Sequence, residues 1–506
     1  MSLDAALSIA RSGLAAVQRG LAQSSQNVAN AETPGYTRKA VPQQALVVGD
    51  RPAGLRGGEA ARAVDAALLA RLDGSRAAAA GAALRERLLS GIEAAHGAAG
   101  ETLADGLAGL RNAFLALRAA PADAGRQQEA VHAAATIAER LNGVSAAIGA
   151  ARQQAQDAVV TEVATANAAL REIAELTLRL KTGAEGDAAA LEDQRDAAIA
   201  RLAEVMDVQA VRRQGGDLLL VARGGLVLPL DPKRDVLATS EALVAPDGFH
   251  GTGGSLPGVL LNGQDVTAQI LGGRLGESLG LRDRTLPRYQ AEADLLAANL
   301  AARLEAQGLR LFTDADGAGP PDPSLPYAGS SQAGFAGRIR VNPAVLANPA
   351  LLRDGTHAVA GGPGGPSAFT PNGAGGPAGF TTLIDRILDF SLGAEAAPGQ
   401  AWAPIAGSGL GPDGSLASPF AVPATLDAYA GRLTAAQLGD RAAATAAKDR
   451  AEALRGTLEA RFGRESGVDV DAEMAGIVAL QNAYAANARV LGTVQTLWET
   501  LLGAVR

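Results

Sequence analysis

Both ends of the chain carry a seven-residue apolar repeat, and it limits the fold more than any other feature. Near the N-terminus Leu7, Leu14, Leu21 and Val28 form one register, and Leu3, Ala10, Val17 and Ser24 form the other. Near the C-terminus Ile477, Tyr484, Leu491, Trp498 and Val505 form one register, and Leu480, Asn487, Val494 and Leu501 the second. Two apolar positions in seven make a narrow coiled-coil seam, not the broad face of a globular helix. A lone helix cannot bury its own stripe. The two ends are therefore expected to pack on each other, on neighbouring copies, or on both, and to order only in an assembly. Each Leu or Ile buried there contributes roughly 1.5–3 kcal/mol. Ser2 is placed to cap the first helix and Asp4 to meet the positive end of its dipole. Asp471 and Glu473 favour a helix start in the same way at the other end.

Between the ends the texture changes three times. Residues 62–206 read as a long helical region rich in Ala, Leu, Arg and Glu, with breaks near Gly97–Gly100, Pro121 and Gly183–Gly186. Residues 207–275 read as strand, and "DLLLVARGGLVLPL" gives two apolar runs around Gly224-Gly225, a hairpin signal. Residues 276–307 return to helix. Residues 308–423 are rich in Gly and Pro, and "GTHAVAGGPGGPSAFTPNGAGGPAGF" reads as a flexible surface loop. Helix resumes at Thr425. The expected fold is mainly α with inserted β: terminal coiled-coil-like helices, an inner helical bundle domain, and projecting β-rich domains. Residues 1–36 with 468–506 would form the terminal domain. Residues 37–206 with 276–307 and 425–467 would form the helical domain, and 207–275 and 308–424 the β-containing outer part.

Composition narrows the function. Aromatic residues are only 3 % of the 506, so small side chains suit close helix packing better than a large ligand pocket. The net charge is −8 with no basic stripe, which argues against a nucleic-acid groove and against a polybasic membrane patch. No cysteine excludes disulfides, thiolate catalysis and Cys-type metal sites. No apolar run reaches the length of a membrane-spanning helix, and "MSLDAALSIARSG" does not read as a Sec-type signal. His96, His132, His250 and His357 show no metal-ligand spacing. "GLGPDG" at 409–414 matches a dinucleotide pattern, but Pro412 interrupts it and a plain turn is expected. Asp314 and Asp316 in "TDADG" offer two oxygens, too few for a calcium loop. Arg195 stands among Glu192, Asp193 and Asp196, which reads as a solvated helix face. Trp498 is a seam residue by its heptad position. No catalytic residue, metal ligand or cofactor is expected.

The stretch "NVANAETPGYTRK" at 27–39 follows the first helix directly. Proline disfavours helix at Thr33. Pro34 then Gly35 suit the central positions of a type II turn, where Gly takes the positive φ. Asn27 and Asn30 share one helix face near its end, where their amides can bond the last carbonyls or another chain. Tyr36 can then pack beside the helix. An ordinary helix stop and an assembly contact both fit these residues.

"SQNVANAETPGYTRK" closely resembles the N-terminal signature of the flagellar axial proteins, which comprise rod, hook and hook-associated proteins. "DAEMAGIVALQNAYAANARVLGTVQTLWETLLG" resembles their C-terminal helix. Residues 117–142, 191–220 and 272–304 resemble the hook-associated proteins that join hook to filament. The resemblance covers most of residues 1–310 and 425–506 and is weak over 311–424. It implies a non-enzymatic structural adaptor, with the termini in the inner tube of the axial structure and the β insert outside. The implied partners are the hook protein, the next hook-associated protein toward the filament, and copies of itself. An export chaperone on the C-terminal helix is implied as well. The implied location is extracellular, in the flagellum, after type III export without a cleaved signal peptide. A hook or distal-rod subunit is the alternative within the family. A secreted hydrolase on residues 311–424 would need an acid, base or nucleophile cluster, and His357 with scattered Asp is too thin for that.

Overall fold

The computed structural model describes residues 3–48, 51–183, 187–362 and 364–504. Ser2 and Val505, expected as a cap and a seam residue, lie outside the described residues, as does Gly186. The side chains of Leu3 and Asp4 lie outside them too.

Helix α1 (Leu3–Ala29) pairs with α13 (Val470–Ala504), so the two ends of the chain meet. Small residues let the backbones approach. A Cβ added at Gly13 would lie 3.2 Å from Asn487 Oδ1, and one at Gly20 3.3 Å from Leu480 Cδ1. This close approach moves the buried line on α1 away from its large apolar residues. Ala10, Gly13, Ala16, Val17, Gln23 and Asn27 are buried, while Leu7, Leu14, Leu21 and Val28 are half-buried.

On α13 only Glu473 and Val494 are buried. Ile477, Leu480, Asn487, Leu491 and Trp498 are half-buried, and Tyr484 and Leu501 are exposed. Met474, Val478, Val490, Leu497 and Leu502 are exposed as well, so this helix shows apolar surface on several sides. Such a helix belongs inside a larger packed structure.

Four strands follow α1: β1 (Lys39–Ala40), β2 (Gln43–Val48), β3 (Arg51–Gly57) and β4 (Ala61–Arg62). β2 and β3 form an antiparallel hairpin along α1, and β1 pairs with β4 at its base. Ser12 Oγ accepts the Leu55 N–H at 3.1 Å. Residues 43–57 therefore pack with the terminal helices, not with the helical domain to which 37–206 were assigned.

The helical block is built by caps at the breaks seen in the sequence. Asp65 caps α2 (Ala66–Ala95), and Thr102 with Asp105 makes a capping box for α3 (Leu103–Ala119). Asp123 caps α4 (Ala124–Thr182), which ends on left-handed Gly183, and Asp187 caps α5 (Ala188–Val205). The 59 residues of α4 extend about 90 Å. Its first half, with Val131, Ile137 and Ile148, packs in one core with α2, α3 and α7 (Leu286–Ala306).

The second half of α4 and α5 pack in another core against a β layer. That layer holds antiparallel β5 (Val208–Arg212), β6 (Leu218–Ala222) and β7 (Val227–Leu228). Beside them lie β8 (Leu237–Ala238), β9 (Leu260–Leu261) and β10 (Gln264–Asp265). Helix α6 (Gly273–Gly280) closes this core and runs through a π-turn into α7.

Residues 308–424 differ from the projecting β part expected. They form short helices: α8 (Phe335–Arg338), α9 (Pro343–Ala347), α10 (Leu351–Asp354) and α11 (Thr382–Arg386). Between them lie the two- and three-residue strands β11 (Phe312–Thr313), β12 (Arg340–Val341), β13 (Glu395–Ala397), β14 (Gln400–Ala401), β15 (Ser408–Leu410) and β16 (Leu416–Ala417). Phe312, Tyr327, Phe335, Leu383 and Leu410 join the α2–α3–α4–α7 core. The segment is therefore a flank packed on the helical block through its scattered apolar residues.

The Gly-rich loop is pinned as well. Phe369 is buried, Val359 bridges to it, and the Arg386 guanidinium lies 5.4 Å from its ring centre. The final long helix before the terminus, α12 (Leu426–Ser466), buries Leu426, Tyr429 and Leu433 in the main core. Its Leu458 packs on Leu68 and Leu72 of α2.

Candidate functional site

The corner behind α1 is the point where the two chain ends and the helical block meet. Helix α1 ends at Asn30, which donates to Gln26 O from both its backbone N–H, at 3.1 Å, and its Nδ2, at 2.9 Å. Thr33 to Tyr36 then form a turn: Tyr36 N–H donates to Thr33 O at 3.1 Å, and Gly35 has φ +82°. A positive φ at the third turn position is what Gly supplies without steric cost.

The turn sends the chain back past Asn27, which is fully buried. Asn27 Oδ1 accepts the Tyr36 hydroxyl at 2.9 Å and the Lys39 N–H at 3.2 Å. Its Nδ2 donates to Lys39 O at 2.9 Å. One amide thus replaces a strand partner for the returning chain. Leu7, Leu14, Leu21 and Val28 lie on the helix ahead of this point and take no part in it.

The returning chain is fastened to α5. Thr37 donates from Oγ1 to Asp193 Oδ1 at 2.6 Å. Lys39 Nζ lies 3.4 Å from Asp193 and 3.7 Å from Asp187, and 4.4 Å from the centre of the Tyr36 ring. Arg62, on β4, meets Glu192 at 2.9 Å, Asp193 at 2.9 Å and Asp196 at 2.8 Å. Arg212 takes the other Asp196 oxygen at 2.6 Å.

Burial alone would lower the Arg62 guanidinium. Asp196 and Asp193 outweigh it and hold the group above its ordinary value. The acidic run on α5 is therefore not the solvated face expected: Asp193 and Arg195 are buried. Arg195 turns away from these carboxylates and donates to Gly216 O at 2.9 Å. Arg62 comes from 130 or more residues away and Arg212 from 16, both beyond the reach of a helix-spacing argument.

The same corner also holds the other chain end. Arg38 N–H donates to Ser466 O at 2.8 Å, and Arg38 Nε meets Glu473 at 2.6 Å. Burial pushes the Glu473 carboxyl up, but Ser24, Arg38 and Asn27 together hold it below its usual range. Glu473 thus touches α1 and the returning chain while opening α13. Tyr36 rises above the usual phenol value through burial and the nearby Asp193, Asp187 and Glu473 charges. Beside the turn an open cleft of ≈ 420 Å³ runs between Thr33–Tyr36 and the Asp187–Ala197 face of α5.

Of the expected interface residues, the structure gathers Asn27, Asn30, Thr33, Pro34, Gly35 and Tyr36 here. Ile477, Leu480, Tyr484, Asn487, Leu491, Val494, Trp498 and Leu501 lie along α13. Sequence reasoning missed Thr37, Arg38, Lys39, Arg62, Asp187, Asp193, Asp196, Arg212 and Glu473 as members of the site. The basic pair following the turn was the available signal.

The other candidates resolve into structure. Asp314 pairs with Arg338 at 3.1 Å, and Asp316 accepts the Ala318 N–H at 2.9 Å. "GLGPDG" links β15 to β16 as a hairpin turn. Among the described residues no three His, Asp or Glu side chains cluster as metal ligands, and no helix is long and apolar enough to cross a membrane.

Residues 89–318 match the helical domain of flagellar hook-associated protein FlgK, and residues 462–504 match the C-terminal segment of the flagellar basal body rod FlgEFG proteins. The chain belongs to the flagellar hook-associated proteins. The second match opens on the end of α12 and takes in Glu473 and all of the α13 seam residues named above. No curated protein matches the chain in sequence. Among solved structures, the flagellar hook junction protein FlgK of Burkholderia pseudomallei is similar at 22 % identity and a TM-score of 0.42. That likeness covers 49 % of this chain and 45 % of that one, so it spans less than half of the other protein.

Proposed function

We propose that this protein is a structural adaptor joining hook to filament, assembled as a short zone of subunits at the distal hook end. The observation that carries the reading is the corner itself. It fastens α1, α13 and the helical block at one point while leaving apolar surface on α13 open. A subunit built this way presents its paired ends to neighbouring copies in a fixed orientation. The interface residues are those on the α1 and α13 seams together with the Asn27–Tyr36 corner. The partners are the hook protein on one side, the next hook-associated protein on the other, and copies of the same chain. The open apolar surface of α13 also suits an export chaperone before assembly. The family's structural role supports a non-enzymatic protein located in the flagellum, outside the cell.

The test is to mix the purified chain with isolated hooks and examine them by electron microscopy. A short terminal zone that stops growing is expected. A long tube of this protein would move it to the hook or rod subunits instead.

A further inference from the structure

A buried polar cluster lies where α7, α12 and the end of β16 meet. Glu292 on α7 is wholly buried, and neither of its carboxylate oxygens accepts a direct hydrogen bond among the described residues. Ser418, Gln437 and Tyr429 stand around it, the last two on α12. Ser418 Oγ, Gln437 Nε2 and the Tyr429 hydroxyl are buried and also lack partners. Arg288 Nε lies 3.9 Å from Glu292 Oε1, too far to donate, and is likewise unpartnered.

The outer groups are committed elsewhere. Arg288 Nη2 meets Asp440 at 2.6 Å, and the Tyr289 hydroxyl donates to the same Asp440 oxygen at 2.7 Å. Gln437 Oε1 faces His96 Nε2 at 2.8 Å, and burial holds that imidazole below its ordinary value. Ser418 and Gln437 stand close enough to favour the Glu292 carboxylate as donors, yet neither they, Arg288 Nε nor the Tyr429 hydroxyl makes a direct bond of normal geometry among the described residues. Internal water bridges gaps of this kind, making about three hydrogen bonds to groups otherwise unsatisfied.

We infer that Glu292, Arg288, Ser418, Tyr429 and Gln437 enclose an internal water site that acts as a protonation-sensitive latch, seating the start of α12 on α7. The charged neighbours divide: Arg288 favours the carboxylate, Asp440 opposes it, and neutral His96 adds no charge. Burial is the largest influence and pushes the Glu292 carboxyl up to about 7. A folded value above the unfolded one stabilises most at low pH, and that contribution is lost as pH rises through about 7. The latch therefore loosens as pH rises from the ordinary Glu range to about 7 and is open above it. Because α12 leads directly to α13, it governs how firmly the second terminal helix is anchored to the block.

The test is amide hydrogen exchange across residues 426–440 of the full chain, corrected for intrinsic rates, from about pH 6 to about pH 8. In the wild type, protection there should fall about tenfold relative to α4, the change expected for one pH unit of titration. In Glu292→Gln it should stay level. Tyr429→Phe, which removes one donor from the ionised form, should move the midpoint to higher pH. A level profile in the wild type, or the same fall in Glu292→Gln, overturns the latch. If Glu292→Gln does not fold, an unmoved midpoint in Tyr429→Phe overturns it.

Discussion

Asp193 receives Thr37, Lys39 and Arg62 while being almost wholly buried, so it holds the returning chain by charge and by hydrogen bonds at once. Replacing it leaves two buried cations short of a partner, the costly way to break a buried pair. Asp193→Asn should lower stability by about 3 kcal/mol in denaturant unfolding. Glu473 predicts a pH dependence. Its folded value lies below the unfolded one, so its contribution is present above the ordinary Glu value of about 4.3 and is lost as pH falls below it. Proteolysis near Ser466 should therefore become faster in mild acid, and Glu473→Gln should be fast at neutral pH already. At this scale the sequence was half legible. Asn27, Pro34 and Gly35 declare a turn by local chemistry. Asp193 and Arg62 show nothing alone, because their meaning depends on a contact across 131 residues.

The terminal helices were legible as elements because a heptad repeat survives in any context. Which side of α1 would be buried was not, because Gly13 and Gly20 look weak as seam residues and yet allow the closest approach. Gly20→Leu should therefore overpack against Leu480 and cost about 1–3 kcal/mol. Its signature is faster proteolysis within α1 and α13 while unfolding of the helical block is unchanged. Pro34→Ala with Gly35→Ala acts on the turn. Alanine at a φ of +82° is strained, so the helix pair should lose its fixed orientation. Assembly onto hooks should fail while the middle of the chain stays folded. Normal assembly of that double variant would show that the corner does not position the helices. The β2–β3 hairpin went unread because "QQALVV" shows no polar–apolar alternation and its partner surface is α1 itself.

At the scale of the molecule, one long helix organises the fold. α4 spans both cores, with the β layer on its second half and residues 308–424 folded against the first. Helix and strand order could be read from periodicity and breaks. The seating of 308–424 could not, because Phe312, Phe335 and Leu383 are isolated apolar residues in a Gly- and Pro-rich stretch. Only the core they fill gives them a pattern. The central claim concerns how the whole subunit is used, and the most direct measurement is deletion of the gene in its own bacterium. Electron microscopy of the cells and analysis of the medium would be the readouts. The account predicts finished hooks without filaments, with flagellin shed into the medium. Rods lacking hooks, or intact flagella, would contradict it.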